Sequence, residues 1–281
     1  LYVRGRYTNE TMLGEILHYA QQYHAFYCGD KLHLSNEANQ FLDSLRKLNQ
    51  TTVYIFLFSV FDDFEAGVID DETLCKVLRL LLNYSLYKTL YGRVFNRPEN
   101  KNNYYDSIVS FLLQLTSKDV MPSDAEFVVA LKERNLYRKN ALCKYLLVAI
   151  ENQGKEQIKT DALTIEHIMP QNKNLSTAWQ KMLGSDWELV RERYLHTLGN
   201  LTLTGYNSEL GDLPFAEKLD MLSDKNTHVT VLYSDVKDKT EWNAQTIEAR
   251  SERLSKTVLK LFPIELPTTK IDFSDPRYQL Y

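Results

Sequence analysis

Three short polar segments in the second half of the chain contain the residue types that phosphodiester hydrolysis needs. Glu166 and His167 stand in Glu-His-Ile-Met-Pro, Asn200 follows a glycine, and Asn207 lies a little further on. Hydrolysis of a phosphodiester needs a base that activates water and a cation that stabilises the departing oxygen. A neutral histidine is a suitable base near pH 7, and carboxylate and carboxamide oxygens suit Mg²⁺ or Mn²⁺. The three segments are therefore typical of metal-assisted hydrolysis.

Two β-type runs and a following helix would position these segments. The first run, residues 162–169, is stopped by Pro170, and the second, residues 198–204, alternates Leu with Thr. This order places the histidine on the first strand and Asn207 at the start of a helix. Neighbours in a strand point to opposite faces, so Glu166 and His167 can serve one phosphate only if the strand ends or twists there. Pro170 favours such an end.

Each of these residues also has a purely structural interpretation. A lone histidine in an apolar strand, like His167, is usually a satisfied core residue, and Asn200 after a glycine suits a turn. Asn207 suits a helix N-cap. His196 suits a donor to a backbone carbonyl, and Lys218 suits a solvated side chain. On spacing alone, a nuclease is one possibility among several.

The region before these segments predicts consecutive helices from residue 8 to about residue 152. Apolar residues recur at three- and four-residue steps in 12–27 and 36–48, and 52–65 is apolar all round, so we expect it to be buried. Capping residues mark two further helix starts. One of these starts is at Asp70, and the other is at the capping box of Ser123 and Glu126. Further helices are predicted at 104–115, 138–152 and 240–262, and a loop is predicted at 97–100.

Composition limits the class of protein. The formal net charge of −4 counts against a broad DNA-binding surface and leaves room for a small site or a partner domain that supplies affinity. Cys28, Cys75 and Cys143 lie far apart without CxxC spacing, which argues against a disulfide framework or a thiolate zinc site and fits the cytoplasm. The sequence predicts no membrane span and no signal peptide. Because it begins with Leu1 rather than Met, we expect an upstream region.

Longer motifs around these segments resemble a known family. EHIMPQ, HTLGNLTLTGYNSELGDLPFAEK and the tail around Trp242 resemble the C-terminal HNH domain of the GmrSD family, which comprises modification-dependent (type IV) restriction endonucleases and related phage-defence proteins. LLNYSLYKTLYGRVFNR and LYRKNALCKYLLVAIEN resemble the helical region that precedes that domain. The resemblance covers most of the chain and is strongest from Thr164 to Lys218.

The resemblance implies a role for each candidate catalytic or metal-binding residue. His167 falls on the general base, Asn200 on the asparagine that orients the histidine segment, and Glu166 and Asn207 on the ligands of one Mg²⁺ or Mn²⁺ ion. The cleaved product would carry a 5′ phosphate.

Other positions near these segments complete the expected site. Lys218 and His196 are the nearby cationic groups expected to contact DNA. Two positions depart from the family pattern: Glu166 stands where many HNH sites have Asp, and Asp212 stands where an asparagine is expected.

The resemblance also implies a domain layout. In this family an NTPase-type domain precedes the helical region, and the chain contains no GxxxxGK[ST] phosphate loop. We therefore expect a mainly α protein with a small α+β part: a helical region at residues 1–155 that links to a missing N-terminal domain, then a ββα-metal (HNH) nuclease domain at 156–281. A nucleotide would act only through the missing domain.

The expected function is DNA cleavage within a modification-dependent restriction system, with modified phage DNA as the substrate. Two alternatives remain open. One is a DNA- or subunit-docking module without nuclease activity of its own. The other is a helical interaction protein in which the EHIMP segment is incidental.

Overall fold

The computed structural model describes residues 9–29, 32–94, 123–153, 159–160, 162–205, 207–223 and 229–264. These residues divide into two compact units. Described residues up to Leu86 belong to the first unit, and those from Tyr87 to Pro263 belong to the second. The predicted loop at 97–100 and the predicted helix at 104–115 lie outside the described residues.

The first unit is helical. Its elements are α1 (Asn9–Cys28), α2 (Asn36–Lys47), a 3-10 turn (Thr51–Val53), α3 (Tyr54–Glu65) and the part of α4 (Asp71–Val94) up to Leu86. Asp70 accepts a hydrogen bond from the backbone N–H of Thr73 at 2.8 Å, so the predicted cap of α4 is confirmed.

Burial in the first unit differs from the sequence prediction at two helices. The apolar stripe of α1 is largely exposed, with Leu13 at 62% and Leu17 at 59%. The buried side of α1 instead carries Phe26, whose ring lies 4.7 Å from that of Phe61 on α3. In α3, Ile55 is exposed, so the prediction that this helix is buried all round is wrong. Hydrophobic spacing indicated helices here but not which face they bury.

The second unit combines helices with a two-stranded sheet. After the end of α4 it contains these elements: α5 (Asp124–Glu133), a 3-10 turn (Tyr137–Lys139), α6 (Asn140–Glu151), β1 (Thr164–His167), α7 (Thr177–Leu183), α8 (Trp187–Tyr194), a 3-10 turn (Leu198–Asn200), β2 (Leu201–Thr204), α9 (Asn207–Leu210), α10 (Phe215–Leu222), α11 (Val231–Ser234) and α12 (Ala244–Leu261). The predicted capping box of Ser123 and Glu126 begins α5 and is confirmed. The prediction of a mainly α protein with a small β part is confirmed.

The two strands pair antiparallel. Glu166 lies opposite Thr202, and His167 lies opposite Leu201. All four residues of β2 are buried, the two threonines as well as the two leucines. The sheet is therefore covered on both faces by helices and turns.

A close backbone contact fixes the turn before β2 against α12. A Cβ added to Gly199 would lie 2.1 Å from the carbonyl oxygen of Ile247, so only glycine fits there. Arg250 of α12 is buried and donates from Nη1 to the carbonyls of Gly199 at 2.7 Å and Leu201 at 2.8 Å. These contacts set the position of Asn200.

The second unit begins well before the predicted boundary near residue 155. The buried carboxylate of Glu151, at the end of α6, accepts hydrogen bonds from the backbone N–H groups of Thr230, Val231 and Leu232 at the start of α11. Residues 154–158 lie outside the described residues. The functional division into residues 1–155 and 156–281 stays a prediction.

The core of the second unit contains two of the three tryptophans. Trp179 and Trp242 are fully buried, and Trp187 packs against the same cluster while partly exposed. In the described part of the chain, every helix is too short or too polar to cross a membrane.

Candidate active site

The chain leaves β1 immediately after His167, next to the turn that precedes β2. The backbone N–H of Ile168 donates to the carbonyl of Asn200 at 2.9 Å. This bond holds the end of the first strand to the glycine-containing turn. The predicted strand end after His167 is thus present.

Asn200 orients the residues that follow His167. Its Oδ1 accepts from the backbone N–H of Met169 at 2.7 Å and from the indole N–H of Trp242 at 3.0 Å. Its Nδ2 donates to the carbonyls of Met169 at 3.1 Å and Leu195 at 2.9 Å. Both atoms of this fully buried carboxamide are satisfied. The contacts suit a positioning role and not direct contact with a substrate.

His167 lies in an aromatic and imidazole environment. Its Nε2 is 3.0 Å from Nδ1 of His196, and the ring of Tyr137 meets it edge-on at 4.5 Å. Tyr137 stacks on His196 as well, with the two rings 5.4 Å apart. The side chain of His167 is buried, and its Nδ1 has no hydrogen-bond partner among the described residues. Nδ1 is therefore the ring atom left for a further contact.

Burial keeps both imidazoles neutral. Desolvation, together with the charges of His196, Lys218 and Arg191, lowers the pKa of His167 from 6.5 to about 3. Desolvation and the charges of Arg191 and Arg138 lower the pKa of His196. In a neutral pair, one ring donates and the other accepts. If His167 donates from Nε2, its Nδ1 keeps a lone pair.

Glu166 points to a different partner from its neighbour. Its Oε1 lies 2.6 Å from Nζ of Lys218, and Nζ also donates to the carbonyl of His167 at 2.9 Å. Lys218 is fully buried and Glu166 is nearly so. Burial raises the pKa of Glu166 and lowers that of Lys218, and each charge opposes this shift in the other. The predicted contact of Lys218 with DNA is therefore wrong, because its ammonium group is enclosed.

The predicted metal ligands are only partly described. Asn207 is the first residue of α9, as expected, but its side chain lies outside what the structure describes. Among the described residues, the carboxylate of Glu166 belongs to no cluster of three His, Cys, Asp or Glu ligand atoms. Its oxygen instead faces the ammonium group of Lys218. In this arrangement the described oxygen atoms around Glu166 suit the ammonium group of a lysine better than they suit a divalent ion.

The segment of the chain that contains the candidate site matches a known protein family. Residues 121–257 match the family described as GmrSD restriction endonucleases, C-terminal domain. This segment is a GmrSD-type C-terminal domain. Over residues 121–257 the GmrSD resemblance predicted from the motifs is thereby confirmed, and the match includes both strands and every candidate site residue. A comparison with curated proteins found no match to the chain.

The GmrSD-type domain contains site residues that sequence reasoning missed. Tyr137 contacts both histidines from the turn before α6. Arg138 is exposed beside it, and its guanidinium makes no hydrogen bond or ion pair within the described residues. Arg191 donates to the carbonyls of Gln171 and Asn172 in the loop after β1. The only sequence signal for Tyr137 and Arg138 was the motif LYRKN, which carried no spacing relation to His167.

Asp212, where the family pattern has an asparagine, makes a local contact. Its side chain is exposed and accepts a hydrogen bond from Nδ2 of Asn172 at 2.6 Å. Its negative charge contributes to raising the pKa of Glu166. Asp212 thus ties the segment before α10 to the loop after β1.

Proposed function

We propose that the GmrSD-type domain hydrolyses DNA phosphodiester bonds as an HNH-type endonuclease, with His167 as the general base. One observation carries this proposal: His167 presents a buried ring nitrogen, Nδ1, without a partner among the described residues. Its other nitrogen is held by His196. A general base must present a free lone pair to the water it activates. The tautomer in which Nε2–H donates to His196 provides that lone pair.

The order of the elements supports the same proposal. An antiparallel strand pair is followed by a short helix that begins at Asn207. This is the strand–strand–helix order that the HNH resemblance implies. The family description names restriction endonucleases, which makes DNA the proposed substrate.

In the proposed reaction, Nδ1 of His167 takes a proton from the water whose oxygen attacks the phosphorus. The bond from phosphorus to the 3′ oxygen breaks, the 3′ oxygen takes a proton from solvent, and the other product carries the 5′ phosphate. The imidazolium that forms keeps its Nε2–H donated to His196, and Asn200 holds the adjacent backbone in place. The pKa of about 3 makes His167 a weak base when no substrate is present. A bound phosphate brings negative charge close to the ring, which favours its protonated form. Substrate binding would therefore strengthen the base.

Phosphate binding needs a cationic group, and Arg138 is the candidate that we propose. It is exposed, and it lies close enough to His196 to lower the pKa of that imidazole. Arg191 is less suitable, because its guanidinium is used on two loop carbonyls.

Dependence on Mg²⁺ or Mn²⁺, bound by Glu166 and Asn207, remains part of the proposal. An ion at Glu166 would have to replace the ammonium group of Lys218, which lies 2.6 Å from the carboxylate. We therefore derive no step of the reaction through the ion. The ligand proposal is tested by Mn²⁺ titration of the wild type and of Asn207→Ala, which should lose the binding.

A docking module without nuclease activity is the second candidate. His167 is only 2% exposed, and Glu166 is paired with Lys218. Both features favour this candidate, because they restrict access to the imidazole and to the carboxylate. Under this alternative the strands and the histidine pair serve only to hold the domain together.

A cleavage assay separates the two candidates. The full chain is incubated with end-labelled duplexes, modified and unmodified, in Mg²⁺, in Mn²⁺ and in excess chelator. A nuclease gives products with 5′ phosphates that require the divalent ion. Duplex binding without product formation under all three conditions would favour the docking module and contradict the proposed activity.

A further inference from the structure

A second group of metal-ligand side chains lies in the first unit, between α1 and α3. Ligand atoms of His18, Asp62 and Glu65 all lie within 4.8 Å of one another. His18 comes from α1, and the two carboxylates are one turn apart on α3. Side chains at this spacing share one face of a helix. The α1–α3 cluster consists of these three residues and of Gln22, one turn after His18.

The carboxylate of Asp62 is held from α1. Nε2 of His18 lies 2.7 Å from Oδ1 of Asp62, and the hydroxyl of Tyr19 donates to Oδ2 at 2.9 Å. Tyr19 thus fixes one oxygen of the carboxylate while the other faces the imidazole. An outer partner that orients a ligating carboxylate is a regular feature of metal sites.

Gln22 supplies an independent observation. Its side chain is 6% exposed, and its Nε2 lies 3.1 Å from both Nε2 of His18 and Oδ1 of Asp62. Its Oε1, on the same carboxamide, is buried without a hydrogen-bond partner among the described residues. An unsatisfied buried acceptor is costly. Rotation of the carboxamide about its last bond would turn this oxygen towards His18 and Asp62.

We propose that the α1–α3 cluster binds one divalent transition-metal ion such as Zn²⁺. The donors are one imidazole nitrogen, two carboxylates and one carboxamide oxygen. Nitrogen ligation favours Zn²⁺ and related ions over Mg²⁺. After that rotation the ion would take the carboxamide oxygen of Gln22 as a ligand, and it would link α1 to α3 within the first unit.

Zinc binding by the full chain tests the proposal. Calorimetric titration is carried out on the wild type, on His18→Ala, on Glu65→Gln and on the control His33→Ala, which changes an exposed histidine outside the cluster. The wild type and the control should bind one more Zn²⁺ ion than His18→Ala does. Glu65→Gln should weaken the same event at least about tenfold, since even loss of an outer partner costs about that much.

The design keeps this site separate from the candidate nuclease site. An ion bound in the second unit would contribute equally to all four proteins and would cancel in the comparison. Glu65 is exposed, so Glu65→Gln gives an answer even if His18→Ala fails to fold. Unchanged stoichiometry and affinity in both cluster variants, relative to His33→Ala, would overturn the proposal.

Discussion

At the scale of single residues, the proposed chemistry of the domain depends on how His167 is enclosed. The ring contacts His196 through one nitrogen and makes a T-shaped contact with Tyr137, and the remaining nitrogen is free of protein partners in the described part. Such an environment favours the neutral imidazole and therefore the form that accepts a proton. It also makes the stability of the second unit dependent on pH.

The substitution His167→Gln should reduce this pH dependence. The pKa of His167 is about 3 in the folded state and 6.5 in the reference state, so the unfolded chain binds more protons between these values. The stability due to the neutral ring is present above pH 6.5 and is lost as pH falls towards 3. At pH 5 this loss is about 2 kcal/mol.

Thermal unfolding followed by tryptophan fluorescence measures this difference, because all three tryptophans lie in the second unit. The wild type should lose more stability than His167→Gln between pH 7.5 and pH 5. Parallel curves for the two proteins would contradict the low pKa.

The buried pair of Glu166 and Lys218 is a second residue-scale feature with a measurable energy. Lys218→Met removes one partner and leaves a buried carboxylate unpaired, which typically costs about 3–5 kcal/mol. The double substitution Glu166→Gln with Lys218→Met should recover part of that loss. If Lys218→Met alone leaves the fluorescence melting curve unchanged, the enclosed ion pair described above is incorrect.

At the scale of elements, sequence periodicity located most of the described helices, and both strands, to within a few residues. Caps with local chemistry, at Asp70 and Ser123, were predictable because donor and acceptor are near in sequence. The buried faces of α1 and α3 were not, because local spacing does not indicate which side meets a partner helix.

The candidate site shows the same limit. The motifs drew attention to His167 and Asn200, and the structure shows Asn200 hydrogen-bonded to the backbone of Met169. Lys218 was expected in solvent because its partner, Glu166, is far away in the sequence and local spacing gives no sign of their contact. The contacts of Tyr137 with the histidines also join distant segments, so spacing carried no trace of them.

A glycine substitution tests how the turn before β2 positions Asn200. Gly199→Ala should destabilise the second unit by about 2 kcal/mol or more, because the new methyl group meets the backbone oxygen of Ile247, which cannot rotate away. Gly205→Ala is the matched control, since a Cβ there meets nothing within 4 Å. Equal melting temperatures of the two variants would show that the turn does not pack on α12 as described.

At the scale of the whole molecule, the net charge of −4 limits how strongly the chain attracts DNA. Sequence-independent binding scales with the number of phosphates neutralised. Enclosure of Lys218 removes one of the two cations that the sequence had suggested. Arg138 is the exposed group that remains beside the histidine pair.

The chain alone should therefore bind duplex DNA weakly and without regard to modification. We expect dissociation constants above the micromolar range at physiological salt, similar for matched modified and unmodified duplexes. Fluorescence anisotropy titration measures both. Submicromolar binding, or a preference above about tenfold for modified DNA, would place recognition within this chain.

The central claim is that His167 activates the water that cleaves DNA, and the cleavage rate of His167→Ala tests it most directly. Single-turnover rates are compared with those of the wild type and of His33→Ala, whose exposed histidine lies in the first unit. Tryptophan fluorescence confirms that the second unit stays folded. We predict a rate lower by about 10²–10⁴-fold for His167→Ala, the usual effect of losing a general base, and an unchanged rate for His33→Ala. A folded His167→Ala protein that cleaves within about threefold of the wild type would contradict the claim.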